Sequence, residues 1–179
     1  GTLINLVLTL TAGFCLSRKK LFGRHLIMLL LIITMYFDGG LIPNYLLMQN
    51  LKLLDTVWAM VIPNAVSVFN ILIARTFFVS SVPEVMIEAA RIDGCDDFRL
   101  FFRIVLPTSQ ALIAVLTIFY AVGHWNSYFD ALIYLRNQKL YPLQMVLRKI
   151  LVQNEASASM LDDVYSYVEK QRITEIVKY

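Results

Sequence analysis

Residues 88–107 read EAARIDGCDDFRLFFRIVLP, and long apolar runs lie on both sides of this charged segment. A bilayer-spanning helix gains nothing from such a segment, because one charge at the centre of the hydrocarbon costs about 3 kcal/mol. A membrane protein that contacts a soluble partner does gain from it. The spacing of Glu-Ala-Ala at 88–90, Gly94 and Leu106-Pro107 makes this segment the most informative part of the chain.

The composition of the whole chain is that of a membrane protein. Of its 179 residues, 58% are hydrophobic and 16% are charged, whereas a soluble domain has about 45–50% apolar and about 25% charged residues. The excess apolar surface needs lipid to cover it. A net charge of +3 without a basic stripe and interleaved aromatics excludes a nucleic-acid partner.

The apolar runs predict an all-α fold, a polytopic transmembrane helical bundle in one domain over 1–179. A hydrocarbon core about 30 Å thick needs roughly 20 apolar residues in a helix. On this basis we predict spans at about 1–17, 26–48, 56–80 and 108–135. Gly39-Gly40, Pro43 and Asn44 predict a break in the second span, with a re-entrant or interfacial turn, and Pro63 predicts a kink in the third. The backbone groups freed near Pro63, and the amide of Asn64, then need protein partners.

The distribution of cations predicts the orientation of the loops. Arg18, Lys19, Lys20 and Arg24 lie in one short loop, which the positive-inside rule places in the cytoplasm. Alternation then places the loop 81–107 inside and the loop 136–179 outside. That last loop carries seven Lys and Arg against five acids, and these cations argue against an external position. The positive-inside rule counts mainly residues near the membrane ends, so the cations of the short loops weigh more. Residues 160–179 predict an amphipathic helix on the outside.

The loop 81–107 predicts two short helices that lie along the inner membrane surface. Ser81 is predicted to cap the first, with Pro83 in its first turn and Glu84 reaching back to the cap. Two to three helical turns follow, and Gly94 ends them in a left-handed conformation. An ordinary amphipathic loop that packs under the bundle is the alternative interpretation.

The second short helix is predicted from about Asp96 to Val105. An i, i+3, i+4, i+7 pattern gives it one apolar face, formed by Phe98, Phe101, Phe102 and Val105. Pro107 is predicted to end it, because proline does not continue a helix interior. Thr108 and Ser109 are then predicted to cap the next membrane helix.

This spacing resembles the EAA motif of the permease subunits of ABC importers, and every signature position matches. The resemblance implies the type I importer permease fold, with four of the family's six spans represented and the first and last transmembrane helices absent. It implies that the loop couples to an ATP-hydrolysing subunit through Glu88, Ala89, Ala90, Gly94, Ile104, Leu106 and Pro107. The implied partners are an ATP-binding subunit dimer, a second permease subunit and an extracytoplasmic solute-binding protein. The implied location is the bacterial cell membrane, which the chain crosses several times.

A second resemblance concerns the cargo. The Trp125-Asn126 pair followed by aromatic residues resembles carbohydrate-uptake permeases of the MalG-like group, and residues 37–45 are similar to its LplC/YtcP-type branch. Aromatic rings and amides suit a sugar substrate. The candidates for the substrate path are Asn64, Trp125, Asn126 and Tyr128. For the aromatic residues, a girdle at the outer membrane interface is the alternative.

The sequence predicts no catalysis in this chain. It contains no GxxxxGK[ST] phosphate-binding loop, so ATP is expected to bind the partner ATPase and no cofactor is expected here. We see no metal cluster and no nucleophile–base set, and Cys15 and Cys95 suggest neither a disulfide nor a metal site. An ABC permease for a non-sugar solute and a membrane scaffold that transports nothing remain as alternatives.

Overall fold

The computed structural model describes residues 1–37 and 39–154, and all regular structure in these two ranges is helical. Eight helices form most of the described structure. Their bounds are α1 Thr2–Ser17, α2 Arg24–Tyr36, α3 Leu41–Asn50, α4 Trp58–Val61, α5 Val68–Ser81, α6 Glu84–Ile92, α9 Gln110–Trp125 and α10 Tyr128–Tyr134. Between α6 and α9 lie α7 Asp97–Leu100, a π-helical segment Phe101–Val105 and α8 Leu106–Thr108. A 3-10 turn at Gln138–Leu140 precedes a final helical stretch at 143–154. The amphipathic helix predicted at 160–179 lies outside the described residues.

The predicted break in the second span is present at the glycine pair, but Pro43 and Asn44 lie inside α3 and do not break it. Helix α2 ends at Tyr36, and α3 begins at Leu41 directly after Gly40. Gly40 has a φ of 84°, which residues with a Cβ rarely adopt. The glycine pair therefore separates two helices that the apolar pattern alone would join.

The kink predicted at Pro63 is a complete interruption. Helix α4 ends at Val61, and α5 begins only at Val68, where the Ser67 hydroxyl accepts a hydrogen bond from the Asn70 backbone N–H at 3.5 Å. A proline without an N–H cannot continue the ladder of helix hydrogen bonds. The expected protein partners are present. The Asn64 carbonyl accepts from the Asn5 side chain at 2.8 Å, and the Asn64 amide donates to Asp130 at 2.9 Å.

The main core forms where α1 crosses α5 and α9. Its central side chains are Leu10, Phe14, Ala74, Phe78, Leu112, Leu116 and Tyr120. Gly13 lies at the crossing, and a Cβ added there would stand 2.6 Å from the Ala74 Cβ. The absence of a side chain at Gly13 is therefore what allows α1 and α5 to pack this closely.

Much apolar surface lies outside this core. Helix α2 buries no side chain, and Phe22, Tyr36 and Phe37 are each more than three-quarters exposed. No described helix is by itself both long and apolar enough to cross a membrane. Three bent pairs meet the length and composition criteria together, namely α2 with α3, α5 with α6, and Asp97–Thr108 with α9.

Candidate functional site

The loop 81–107, which we call the coupling segment, folds as two helices set across the ends of longer ones. Helix α6 is bent by 71° from α5, and the helical stretch Asp97–Thr108 is bent by 82° from α9. Both short helices therefore lie across the ends of α5 and α9 instead of extending them. This is the arrangement expected of a segment along the membrane surface.

The cap predicted for α6 is wrong. Ser81 is the last residue of α5, and the N-cap position of α6 is Pro83, without a side-chain hydrogen bond to the helix start. Glu84 does not reach back to the backbone, because its carboxylate lies 3.0 Å from the Lys19 ammonium. A charged partner from another loop replaces the local interaction that the sequence pattern indicates.

The glycine stop after α6 is confirmed. Gly94 has a φ of 74°, and its N–H donates to the Arg91 carbonyl at 3.0 Å. The Cys95 N–H donates to the Ala90 carbonyl at 2.9 Å. These two bonds form a Schellman motif, which satisfies carbonyls that the helix end leaves free. A Cβ added at Gly94 would meet nothing within 4 Å, so the requirement for glycine is conformational.

The second helix begins as predicted but departs from its prediction at the other end. Asp96 is at the N-cap position, whereas Pro107 lies inside the last turn, which ends at Thr108. The Leu106 N–H donates to the Phe101 carbonyl, five residues earlier, so the turn before Pro107 is widened. A proline ring clashes with the carbonyl four residues before it in a regular α-helix. The wider turn explains how the helix accommodates Pro107.

The predicted caps of α9 are also wrong. The Thr108 hydroxyl donates backward to the Ile104 carbonyl at 2.8 Å. Ser109 occupies the N-cap position of α9, but its hydroxyl is buried and has no hydrogen-bond partner among the described residues. The Thr108 hydroxyl thus satisfies a carbonyl of the preceding helix, because the side chain lies over the last turn of that helix.

The apolar side chains of the coupling segment divide into two groups. Ile87 and Ala90 on α6, and Phe101 and Val105 on the second helix, are buried in the core. Four other large apolar side chains face outward, so the predicted face of four residues is divided. We name these exposed side chains the apolar surface; they are Val85 (75% exposed), Ile92 (87%), Phe98 (76%) and Phe102 (61%).

The motif residues lie partly on this outward side. Glu88, Ala89, Gly94 and Pro107 are exposed. Ala90 is buried, and Ile104 and Leu106 are half-buried. The motif thus combines positions open to a partner with positions that attach the segment to the bundle.

A cavity of about 220 Å³ separates the coupling segment from the basic loop. Ser17, Lys20, Glu88 and Arg91 are among its lining residues. Lys19 holds the pKa of Glu84 below its usual range, first through its hydrogen bond and then through its charge. Arg18 lies 4.4 Å from the centre of the Phe14 ring, and burial lowers the pKa of Arg18.

At the opposite end of α1, polar side chains line an open cavity of about 410 Å³, which we name the polar cavity. Four parts of the chain contribute to it: the start of α1, the interruption at 62–67, the first turn of α5 at Asn70, and residues 120–130. Asn5 is 1% exposed and connects these elements. Its Oδ1 lies 3.4 Å from the His124 Nε2, while its amide donates to the Asn64 carbonyl.

The four candidates for the substrate path separate in the structure. Asn64 and Asn126 line the polar cavity together. Tyr128 lines a different groove, where Arg148 lies 4.5 Å from the centre of its ring. Trp125 is the last residue of α9, is 57% exposed and lines neither of these spaces.

Sequence reasoning did not link several polar residues in and beside the polar cavity to the substrate path. Asn5 and Thr9 are four apart on α1, and Tyr120 and His124 are four apart on α9. The hydroxyls of Thr9 and Tyr120 form a buried hydrogen bond at 2.5 Å. Residues four apart share a helix face, so these two polar pairs in apolar helices were the available signal.

Another missed residue is Asp55, in the turn before α4. Its carboxylate accepts hydrogen bonds from the backbone N–H groups of Arg136 and Asn137, both at 2.8 Å. Its own N–H donates to the Tyr134 carbonyl at 3.0 Å. Asp55 thereby fastens the turn at 51–57 to the chain after α10.

Residues 6–152 match the family of binding-protein-dependent transport system inner membrane components. The chain belongs to this family. It is 40% identical to Protein LplC of Bacillus subtilis over 172 residues, which cover 96% of this chain and 58% of that protein. It is 42% identical to the polygalacturonan/rhamnogalacturonan transport system permease protein YtcP of the same species, over 85% of this chain and 53% of that protein.

A solved structure gives the same result for the fold. The bacterial ABC transporter involved in the import of the acidic polysaccharide alginate aligns with a TM-score of 0.81 and 31% identity. The alignment covers 89% of this chain and 58% of that one, so the chain spans less than two thirds of these relatives. The predicted resemblance and the all-α importer permease fold are confirmed. The family consists of transport components of the inner membrane and not of enzymes.

Proposed function

We propose that this chain is the membrane-spanning permease subunit of an ATP-driven importer for sugars or oligosaccharides. Permeases named for saccharide polymers are among its relatives, and they support this cargo class. In this proposal the chain crosses the bacterial cell membrane several times. It works with a second permease subunit and an extracytoplasmic solute-binding protein, and ATP is bound and hydrolysed by a separate subunit dimer.

The coupling segment is, in this proposal, the contact with the ATP-hydrolysing subunit. The observation that carries it is the apolar surface, because four large side chains stay exposed on a segment whose backbone is fully organised. Exposed apolar side chains beside polar ones are typical of a protein interface. Glu88 would form the polar contact, and Gly94 would hold the turn between the two helices.

Loop contacts support the orientation on which this role depends. Lys19 and Glu84 join the basic loop, which the positive-inside rule places inside, to the loop 81–107, which alternation places inside. Asp55 joins the turn at 51–57 to the loop 136–179, which alternation places outside. The coupling segment and the polar cavity thus lie toward opposite ends of α1, as expected for a subunit that receives force inside and meets its cargo farther out.

In this proposal, the transport mechanism depends on the rigid attachment of the coupling segment to the main core. Closure of the ATPase dimer would push on the apolar surface, and Ile87, Ala90 and Phe101 would transmit that displacement to the core around α1, α5 and α9. Packed cores transmit strain because they compress little. Tilting of these helices would then alternate the access to the transport path.

The test uses the full-length protein in its purified transporter, reconstituted in lipid vesicles. We expect Glu88→Ala and Gly94→Val to lower both sugar uptake and the ATPase activity stimulated by the binding protein, with membrane insertion unchanged. Gly94→Asn should be milder, because asparagine tolerates a positive φ better than valine does. Asp96→Asn is the matched control, since Asp96 makes no side-chain cap bond and lies outside the motif.

Three results would contradict the proposal or one part of it. Wild-type uptake in both the Glu88→Ala and the Gly94→Val transporter would remove the coupling role. Purification of the full-length protein without any ATPase subunit would favour a scaffold, and uptake confined to peptides or other non-sugar solutes would replace the cargo class.

A further inference from the structure

We propose that the polar cavity binds an uncharged sugar unit of the transported cargo through its hydroxyl groups. This inference rests on the proposed function and identifies where, and with what chemistry, this subunit meets the substrate. It concerns residues around Asn5 and Asp130 that the motif and the aromatic cluster do not indicate.

The cavity has the size and the lining of a small polar binding site. Its volume of about 410 Å³ lies within the range of about 300–1,000 Å³ found for ligand pockets. Its lining combines amides, a carboxylate, an imidazole and hydroxyls with the ring of Phe129. Such a set offers hydrogen bonds for hydroxyl groups and an aromatic face for the C–H side of a sugar ring.

The polar groups are held in place but retain capacity for a ligand. Asp130 accepts one hydrogen bond from the Asn64 amide at 2.9 Å. A carboxylate has about four lone-pair positions, so Asp130 has acceptor sites left over, and the second N–H of the Asn64 amide is a further donor. Asn5 fixes Asn64 from the other side through the 2.8 Å bond to its carbonyl. The site is therefore organised before a ligand arrives, which lowers the entropy cost of binding.

The charge of the lining selects against acidic sugars. Asp130 is the acid in the cavity, and none of the described residues that line it is Lys or Arg. A uronate carboxylate in this space would face the carboxylate of Asp130 without a balancing cation, and like charges in close contact are strongly disfavoured. Hydroxyl groups avoid this repulsion and can donate to Asp130.

The experiment uses the full-length protein in its complete transporter, reconstituted in vesicles with saturating binding protein. The probes are trisaccharides of glucose, galactose and mannose, each paired with the form in which C6 is oxidised to the carboxylate. We expect Asn5→Ala and Asp130→Asn to lower uptake of the neutral trisaccharides about tenfold, the loss expected for one hydrogen bond to a charged or buried group. Stimulated ATPase activity should stay within about twofold of the unaltered transporter, because the coupling segment is untouched.

Asp130→Asn gives a second and more specific readout. It removes the negative charge and keeps the size of the side chain, so the ratio of uronate to neutral uptake should rise about tenfold. The same binding protein serves both transporters, so a change in this ratio belongs to the permease. Thr34→Ala, at an exposed threonine of α2 outside the cavity, is the control that should change nothing.

Several outcomes would overturn the inference. Unchanged uptake in both cavity variants would do so, and so would an unchanged ratio in Asp130→Asn. Loss of the second permease subunit from the purified variants would assign the cavity to subunit packing instead of cargo. If the unaltered transporter took up no saccharide at all while its ATPase responded to another solute, the proposed function itself would fail, and that result is distinct from the others.

Discussion

The coupling segment and the polar cavity lie toward opposite ends of α1 and are built in opposite ways. The coupling segment takes its shape from its backbone, through the Schellman motif at Gly94 and the widened turn before Pro107, and it leaves large apolar side chains exposed. The polar cavity takes its shape from side-chain hydrogen bonds around Asn5, inside a bundle that is otherwise apolar. The first arrangement suits a protein partner, and the second suits a ligand rich in hydroxyls.

This difference predicts how the two regions respond to substitution. Backbone-determined shape survives the loss of a side chain at its surface, so the coupling segment should lose a contact without losing its fold. In the polar cavity, each side chain holds another, so one truncation leaves a polar group without its partner. The helix that joins the two regions should affect both.

The largest effect is expected at that connection. In Gly13→Ala, the new Cβ would stand 2.6 Å from the Ala74 Cβ and 3.2 Å from the Arg75 backbone nitrogen. Because Ala74 is fully buried, neither group can move away cheaply. We expect the free energy of unfolding to fall by about 1–3 kcal/mol, with a lower thermal midpoint for the purified full-length protein and a loss of both uptake and stimulated ATPase activity.

Gly123→Ala is the matched control. It is also a glycine-to-alanine change within a helix, but an added Cβ there meets nothing within 4 Å. Alanine is the better helix former by roughly 0.5–1 kcal/mol, so this variant should be as stable as the unaltered protein or slightly more so. Equal thermal midpoints for the two variants would show that α1 and α5 do not depend on their close approach.

A smaller effect is expected at Asp55, which should disturb only the two segments that it joins, the turn at 51–57 and the chain at 136–137. Hydrogen bonds from Asn137 and then from Arg136 hold the pKa of Asp55 below its ordinary value. The folded protein therefore favours the charged form, and the stabilisation is complete above the unfolded pKa of about 3.9 and is lost as the pH falls through the lower folded value. Acidification through this window should release the turn at 51–57 from the chain at 136–137.

Limited proteolysis of the full-length protein in lipid vesicles measures this release, with an acid-active protease added from outside. Cleavage near 136–142 should accelerate as the pH falls below about 4, and Asp55→Ala should be cleaved quickly at every pH. Asp97→Ala is the control, because its carboxylate pairs with Arg91 in the inner coupling segment. Identical pH profiles for Asp55→Ala and the unaltered protein would contradict the role of the carboxylate.

The sequence predicts local features of the fold better than it predicts the sites. Gly94 and Gly39-Gly40 interrupt helices as expected, because a positive φ or a missing side chain is a property of the residue itself. The cap predicted at Ser81 does not form, since the preceding helix extends through Ser81 and Lys19 competes for Glu84. Whether a local motif forms depends here on a residue that packing brings from a distant part of the chain.

The polar cavity shows the same limit of prediction from sequence. Asn5, Asn64 and Asp130 are far apart in sequence, and only the packing of α1 against α5 and α9 brings them together. The four-residue spacing of Asn5 with Thr9 indicates a polar face on α1, but it does not indicate which helix that face meets. The aromatic residues that appear most suggestive in the sequence, Trp125 and Tyr128, lie outside the cavity.

The smallest effect is expected at the ion pair between Lys19 and Glu84, which should alter the coupling segment alone. Both side chains are substantially exposed, at 75% and 43%, so their contribution to stability is small and is screened by salt. The role of this ion pair in transport is different, because it joins the basic loop at the end of α1 to the first turn of α6.

We expect Lys19→Glu and Glu84→Lys each to lower stimulated ATPase activity slightly, at an unchanged thermal midpoint, and the double variant to restore this activity. The loss should shrink as the salt concentration rises. If the double variant behaved as the sum of the two single ones, the pair would be an incidental contact, and the core around Phe101 would be left as the connection between the coupling segment and α1.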